Sequence, residues 1–334
     1  MALLLSATAF SASVASAAEV NLYTTREPGL IEPLLKRFTE NTGITVNTVF
    51  LGTGLAERVA AEGTSSPADV LMTVDIGNLA ELVKRGVTQP IGSDALEKAI
   101  PPALRDPDGN WVALSQRGRA ILVAKERVAE QSMTYEALAE PRWRGKVCTR
   151  SGQHPYNVAL FAAMLVKNGE AATDDYMKGL KANLARKPAG GDRDVARDIL
   201  AGICDVGLSN TYYAGLMLSG AGGEEQKRWA EAVRVVLPTF NDGAGTHVNI
   251  SGAALAKHAP NRAEAVILLE FLATPEAQRI YADANYEYPV RTDVAPHPIV
   301  ADFGKLTMDS TPLNTIAAKR DEASRQVDRV GLDR

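Results

Sequence analysis

The chain is short of the residues on which most catalysis depends: its 334 residues include four histidines, two cysteines and three tryptophans. The histidines are widely spaced, which works against a nucleophile–histidine triad or a zinc site. No G-x-S-x-G, H-E-x-x-H, phosphate-cradling P-loop or strand-linked G-x-G-x-x-G occurs. Gly52-Thr53-Gly54 lacks the rest of a dinucleotide fingerprint, and Gly243-Ala244-Gly245 reads as a turn. An enzyme is therefore not expected. Charge of one sign is also scarce: 36 Lys and Arg stand against 40 Asp and Glu, for a net charge of −4 with no long basic run. Nucleic acid is not expected as a partner, because phosphate neutralisation needs a concentrated positive face. After residue 17 no apolar run approaches the roughly 18 residues that spanning a bilayer requires. Internal repeats and low-complexity segments are absent.

What is present points to export. Ala2–Val14 is small and apolar, and Ala15-Ser16-Ala17 fits a signal-peptidase site, so residues 1–17 read as a secretory signal cut after Ala17. A frayed N-terminal helix is the alternative, and the missing positive n-region leaves the true start open. The remaining chain is expected to be a soluble monomer. In an exported protein two lone cysteines are expected to pair, here Cys148 with Cys204. Closing a loop of about 56 residues would stabilise the fold by roughly 4 kcal/mol. Two buried free thiols are the alternative; a thiolate metal site has no C-x-x-C spacing or histidine cluster to support it.

With 46 % hydrophobic residues the chain can bury a large core, and its length favours two domains. Strand and helix signals alternate. Val20–Tyr23, Ile44–Phe50 and Ala68–Thr73 read as strands; Ile31–Phe38, Leu55–Ala61 and Asn78–Lys84 read as helices. After the turn at Gly109-Asn110, Trp111–Leu114 and Ala120–Ala124 cross towards a second lobe. There the rhythm continues with strands at Val147-Cys148, Asp205–Leu208 and Val233–Leu237 and helices at Asn157–Lys167 and Arg193–Ala201. Val248–Ala256 is apolar, Arg262–Leu272 is helical, and the charged tail from Lys319 reads as a solvated terminal helix. The alternation predicts an α/β fold with largely parallel sheets covered by helices.

Two adjacent tyrosines, Tyr212 and Tyr213, follow the short apolar run that ends in Leu208. Deprotonated phenols are hard anionic donors, suited to a small, highly charged cation rather than to catalysis. Around them the sequence becomes specific. Tyr23 followed by Thr24-Thr25-Arg26, the segment Phe38–Ile44, the block Leu138–Tyr156 with Pro141-Arg142-Trp143-Arg144-Gly145-Lys146-Val147-Cys148, and Asn210-Thr211-Tyr212-Tyr213 occur in order. Together they resemble the periplasmic ferric-iron-binding proteins of ABC importers, over essentially the whole chain after the signal.

The resemblance implies a two-lobed, hinged α/β binding protein of the transferrin-like type, each lobe a mostly parallel sheet flanked by helices. The lobes are expected at 18–118 plus 242–290 and at 119–241 plus 291–334. It implies capture of Fe³⁺ by Tyr23, Tyr156, Tyr212 and Tyr213 in the periplasm, and delivery to an inner-membrane ABC permease. Leu22 stands where one branch of the family carries histidine, so the pattern is closer to the tyrosine-dominated branch typified by the cyanobacterial iron-uptake proteins. Arg117, in Ser115-Gln116-Arg117-Gly118-Arg119, is the arginine that branch implies for lowering phenol pKa values or holding a synergistic anion such as carbonate; a salt-bridged surface arginine is the alternative. Ser151-Gly152 is a weaker anion-binding signal, and His154 is a minor ligand candidate. Spacing adds one argument: Tyr156 and Tyr212 each lie eight residues after a cysteine, so a Cys148–Cys204 link would bring both phenols out at similar depth, beyond the strand ends where α/β sheets bind ligands. The same scaffold carrying an oxyanion, a polyamine or a phosphorylated compound is the alternative function.

Overall fold

The structure, a computed structural model, describes residues 18–334, so the expected export signal lies outside the described residues. Nine strands form one continuous sheet system: β1 Glu19–Thr24, β2 Thr45–Phe50, β3 Val70–Thr73, β4 Thr88–Gln89, β5 Trp111–Ala124, β6 Val147–Cys148, β7 Val206–Asn210, β8 Val233–Val236 and β9 Val248–Ala256. Their order is β2-β1-β3-β9-β5-β7-β6, with β4 paired to β9 and β8 paired to β5. Two apolar cores lie along it. One gathers Leu22, Phe38, Leu71, Leu79, Trp111 and Ile250. The other gathers Ile121, Val147, Phe161, Met177, Val206 and Leu208.

Local sequence explains the elements of the first core. In the helix Pro28–Thr42, Ile31, Leu34, Leu35 and Phe38 share the buried face, the i, i+3, i+4, i+7 spacing of an amphipathic helix. Pro28 suits its first turn, and Gly43 ends it at φ 73°, where a side chain would be strained. The helix–strand alternation read from sequence is present, but the pairing is mixed rather than mostly parallel. Strands β1–β2, β1–β3 and β6–β7 run parallel. Every pairing of β5 and β9 is antiparallel. The cause is β5. Read from sequence as two short strands around a polar crossing, it is one 14-residue strand. Ser115, Arg117 and Arg119 are buried in it, because neighbouring carboxylates and carbonyls satisfy them. It pairs with β9 along its first half and with β7 and β8 along its second, and so carries the sheet from one core to the other.

Two further differences matter for the site. The helix expected at Asn157–Lys167 runs Pro155–Asn183, with non-helical backbone at Gly169 (φ 78°, ψ 175°). The charged tail is not merely solvated: in the helix Arg320–Val330, Ala323, Gln326 and Val327 are buried, and Leu332 beyond it is fully buried. Its charged majority masks an i, i+4 apolar pair (Ala323 and Val327) that packs on the second core.

Cys148 and Cys204 form a disulfide with Cα atoms 5.9 Å apart and a sequence separation of 56. Cys148 pairs with Gly207 across β6 and β7. A side chain at Gly207 would run into the Cys148 carbonyl and Val195. Because the bond closes a long loop, its reduction is expected to lower unfolding free energy by roughly 4 kcal/mol. Denaturant unfolding with and without reductant measures this, and thiol labelling of the denatured, non-reduced chain should find no reactive cysteine. An unchanged midpoint after reduction would mean that the two elements are held by packing alone.

Candidate metal centre

Three of the four phenols picked out from sequence converge. Tyr156 is the second residue of the helix Pro155–Asn183, which is capped by His154: its Nδ1 accepts the Tyr156 backbone N–H at 3.3 Å. Tyr212 and Tyr213 sit in the first turn of the helix Thr211–Leu218, which follows β7 without a loop. The sequence reading stopped at the strand and missed this helix, whose residues have no polar face to mark a period. The Tyr156 and Tyr212 hydroxyls lie 3.0 Å apart, and the Tyr212 and Tyr213 rings stack with centroids 4.2 Å apart. The cysteine offsets thus translate into geometry: the disulfide fixes β6 against β7, and both phenols emerge just beyond.

Cations surround the cluster. The Arg150 guanidinium lies 5.2 Å from the Tyr156 ring centroid, Arg117 lies 5.7 Å from the same ring, and Arg193 lies 5.5 Å from that of Tyr213. Both helix starts also present their positive ends here, which favours anionic oxygen. Without a cation, however, Tyr212 and Tyr213 stay protonated. Burial, then the neighbouring Tyr156 and Tyr213, hold Tyr212 well above the ordinary phenol range, with Arg117 pulling the other way. Tyr213 is pushed up to about 12 by burial, then by Tyr156 and Asp192. A small cation must therefore displace protons to bind. His154 is held neutral, its pKa pushed down to about 4 by burial and then Arg150; with Nδ1 spent on the cap, its ring packs edge-on against Tyr156.

Tyr23 is elsewhere. On β1 it is buried in the first core, and its hydroxyl donates to Glu62 Oε1 at 3.2 Å beneath the Arg58 guanidinium. Burial and then Glu62 raise its pKa. Strand alternation accounts for the placement: Leu22 and Thr24 take one face of β1 and Tyr23 the other, towards the helix Leu55–Glu62. The following Thr24-Thr25-Arg26 has a structural use. Arg26 Nη2 pairs with buried Glu287 at 2.6 Å, and Nε donates to the Tyr281 hydroxyl at 3.1 Å. Ser115 on β5 and Ser251 on β9 donate to the same Glu287 carboxylate.

Arg117 is buried rather than a surface salt bridge. Its Nη2 donates to the carbonyls of Val74 and, at 2.7 Å, Ile250. Burial works against its charge, but Glu287 holds it protonated. The Ser151-Gly152 turn is filled by the chain itself, with Asp333 accepting from Ser151 Oγ at 2.6 Å and from the Gly152 N–H at 2.7 Å. Sequence reasoning missed Arg150 and Arg193. Arg150 lies six residues before Tyr156 in a quoted block, so proximity was available as a signal; Arg193 stands alone in sequence. Among the described residues no cluster of three or more His, Cys, Asp or Glu is placed to hold a metal.

Residues 23–279 match the family model for bacterial extracellular solute-binding proteins. The chain is 40 % identical over 315 residues to iron uptake protein A1 of Synechocystis sp., covering 94 % of this chain and 87 % of that protein. Among solved structures it is similar to the Bordetella ferric binding protein, at 58 % identity and TM-score 0.91 over 95 % of this chain and all of the other. It is also similar to the Trichodesmium protein solved in complex with iron and citrate, at 38 % identity and TM-score 0.89 over 94 % of this chain and 99 % of that one. Among the described residues no helix is long and apolar enough to cross a membrane. The chain belongs to the bacterial extracellular solute-binding proteins and is a binding protein rather than an enzyme.

Proposed function

We propose that this protein captures ferric iron in the periplasm on Tyr156, Tyr212 and Tyr213 and delivers it to an inner-membrane ABC permease. The observation that carries the reading is the 3.0 Å approach of two phenol oxygens beside a third stacked tyrosine. Three phenolates balance the charge of Fe³⁺, so the ion can sit in a partly buried site without a carboxylate. The chain's similarity to an iron uptake protein, to a ferric binding protein and to a protein solved with iron supports the same ion. An oxyanion, polyamine or phosphorylated solute gives three converging phenols no purpose. The direct test is an absorption spectrum with iron analysis: a one-to-one ferric complex with a broad visible phenolate-to-iron band is expected.

Arg150 and Arg193 join Arg117 as candidates for a synergistic anion such as carbonate. Among the described residues the Nε atoms of all three are buried and unpartnered, as is the Thr211 hydroxyl; Arg117 Nη2 is committed to backbone carbonyls and Arg150 Nη1 to Asp192. Arg117 acts on the phenols by charge. The lobe division at 18–118 plus 242–290 and 119–241 plus 291–334 is supported by the two apolar cores, except that Leu306, Met308, Leu313 and Ala317 pack with the first.

The geometry changes one expectation. Tyr23 was the donor implied for the first lobe, but its hydroxyl is held by Glu62. Tyr23→Phe is therefore expected to leave the visible band and the iron stoichiometry intact while costing about 1 kcal/mol of stability for the lost hydrogen bond. A weakened band in this variant would restore Tyr23 as a ligand and require the first lobe to rearrange on binding.

A further inference from the structure

One guanidinium ties together the two helix starts that carry the phenols. On β5, Arg119 Nη1 donates to Asp192 Oδ2 at 2.6 Å and to Asn210 Oδ1 at 3.0 Å, and Nη2 donates to Asn157 Oδ1 at 2.6 Å. Asn157 follows Tyr156 directly, and Asn210 stands two residues before Tyr212. Asn157 Nδ2 in turn donates to Thr149 Oγ1 and to the carbonyls of Arg150 and Ser151, the loop leading into its helix. Asp192 accepts the Asn210 backbone N–H at 2.7 Å and Arg150 Nη1 at 3.3 Å. Arg119, Asn157, Asp192 and Asn210 are all buried. The arginine backbone is fixed as well, its carbonyl accepting the Tyr135 hydroxyl at 2.5 Å and its N–H donating to the His247 carbonyl at 2.9 Å.

We infer that Arg119, acting through Asn157 and Asn210, is the positioning residue that sets the spacing of the Tyr156 and Tyr212 oxygens before any ion arrives. The planar fork of a guanidinium addresses several acceptors in fixed directions, which a lysine ammonium cannot do. A buried ion pair such as Arg119–Asp192 adds little net stability over well-packed apolar residues. Its value here is geometric: the two asparagine acceptors on the fork, Asn157 and Asn210, lie one and two residues from the phenols Tyr156 and Tyr212. Preorganised donors let a cation bind without first ordering the two helix starts.

The inference rests on the ferric reading for its iron measurement, so a metal-free measurement is paired with it. Arg119→Lys and Asn157→Ala are compared with Asn183→Ala, which removes the same amide from the far end of the same helix, where it donates to the carbonyls of Leu138 and Glu140. The two hub variants are expected to raise the Fe³⁺ dissociation constant about 10- to 100-fold and to shift the visible band, whereas Asn183→Ala loses comparable thermal stability without either change. In metal-free protein carrying 3-fluorotyrosine, the fluorine resonances of Tyr156 and Tyr212 should shift or broaden in the hub variants and not in Asn183→Ala. If Arg119→Lys fails to fold, Asn157→Ala carries the test. Unchanged fluorine resonances in Asn157→Ala overturn the positioning role whatever happens to iron. If the fluorine resonances respond as expected but the unaltered protein takes up no ferric iron, the positioning stands and the ferric reading fails.

Discussion

Tyr213→Phe and Tyr212→Phe should each cost the protein more than about a hundredfold in ferric affinity, beyond what loss of a supporting partner around a metal costs. The substitution is close to isosteric and leaves the Tyr212–Tyr213 ring stack in place, so the fold should survive and the loss can be read as that of one oxygen donor. Removing the Tyr212 hydroxyl also leaves the Tyr156 hydroxyl without its 3.0 Å partner. That partner is a weak, partly solvated one, so stability should fall by no more than about 1 kcal/mol. The charge balance adds to the effect: with one phenolate gone, the ion carries a net positive charge beside Arg117, Arg150 and Arg193. The visible band should weaken and shift in both variants. The measurement is competitive titration against a chelator of known strength, followed at the band maximum. Affinity within threefold of the unaltered protein in both variants would mean that these phenols are not ligands.

How much of this was legible in the sequence depends on the kind of signal. The amphipathic helix Pro28–Thr42 and the strands β1, β2 and β9 announce themselves by apolar period, and the export context paired Cys148 with Cys204. The two equal cysteine-to-tyrosine offsets located Tyr156 beside Tyr212 without knowledge of the fold. Three things were not legible. Buried polar residues on β5 looked like a surface crossing, because hydropathy cannot tell a solvated arginine from one whose charge is met by Asp192 or Glu287. The face of β1 on which Tyr23 falls depends on where the helix Leu55–Glu62 packs, a tertiary fact with no local trace. Asp192 and Arg193 lie far from the tyrosines in sequence and reach them only because their helix packs beside β7. The resemblance to a family found the blocks around the site; within Tyr23-Thr24-Thr25-Arg26 the arginine braces Glu287 and the Tyr23 hydroxyl is held by Glu62.

Acidification should release the iron steeply, and Arg117 should set where. In the metal-free protein Tyr212 is held well above the ordinary phenol range and Tyr213 at about 12, so both are protonated throughout the physiological window. In the complex the cation holds them as phenolates, so their effective pKa values there are far lower. A group whose pKa is depressed by binding contributes its full affinity only above its metal-free pKa, and loses that affinity progressively as pH falls from there towards the bound-state value. With three phenols titrating together, affinity should drop by up to about three orders of magnitude per pH unit. Arg117 sits 5.7 Å from the Tyr156 ring and lowers the Tyr212 pKa by its charge. Arg117→Gln removes that charge, protons compete more strongly, and release should occur at higher pH. The midpoint of release is expected to move measurably upward. The titration follows the visible band at fixed ionic strength, anion and competing chelator. Arg142→Gln, at a surface arginine paired with Glu130 and Glu140, serves as control and should not move the midpoint. Should Arg117→Gln titrate with the unaltered protein, Arg117 serves the backbone carbonyls of Val74 and Ile250 alone, and the charge that tunes release belongs to Arg150 and Arg193.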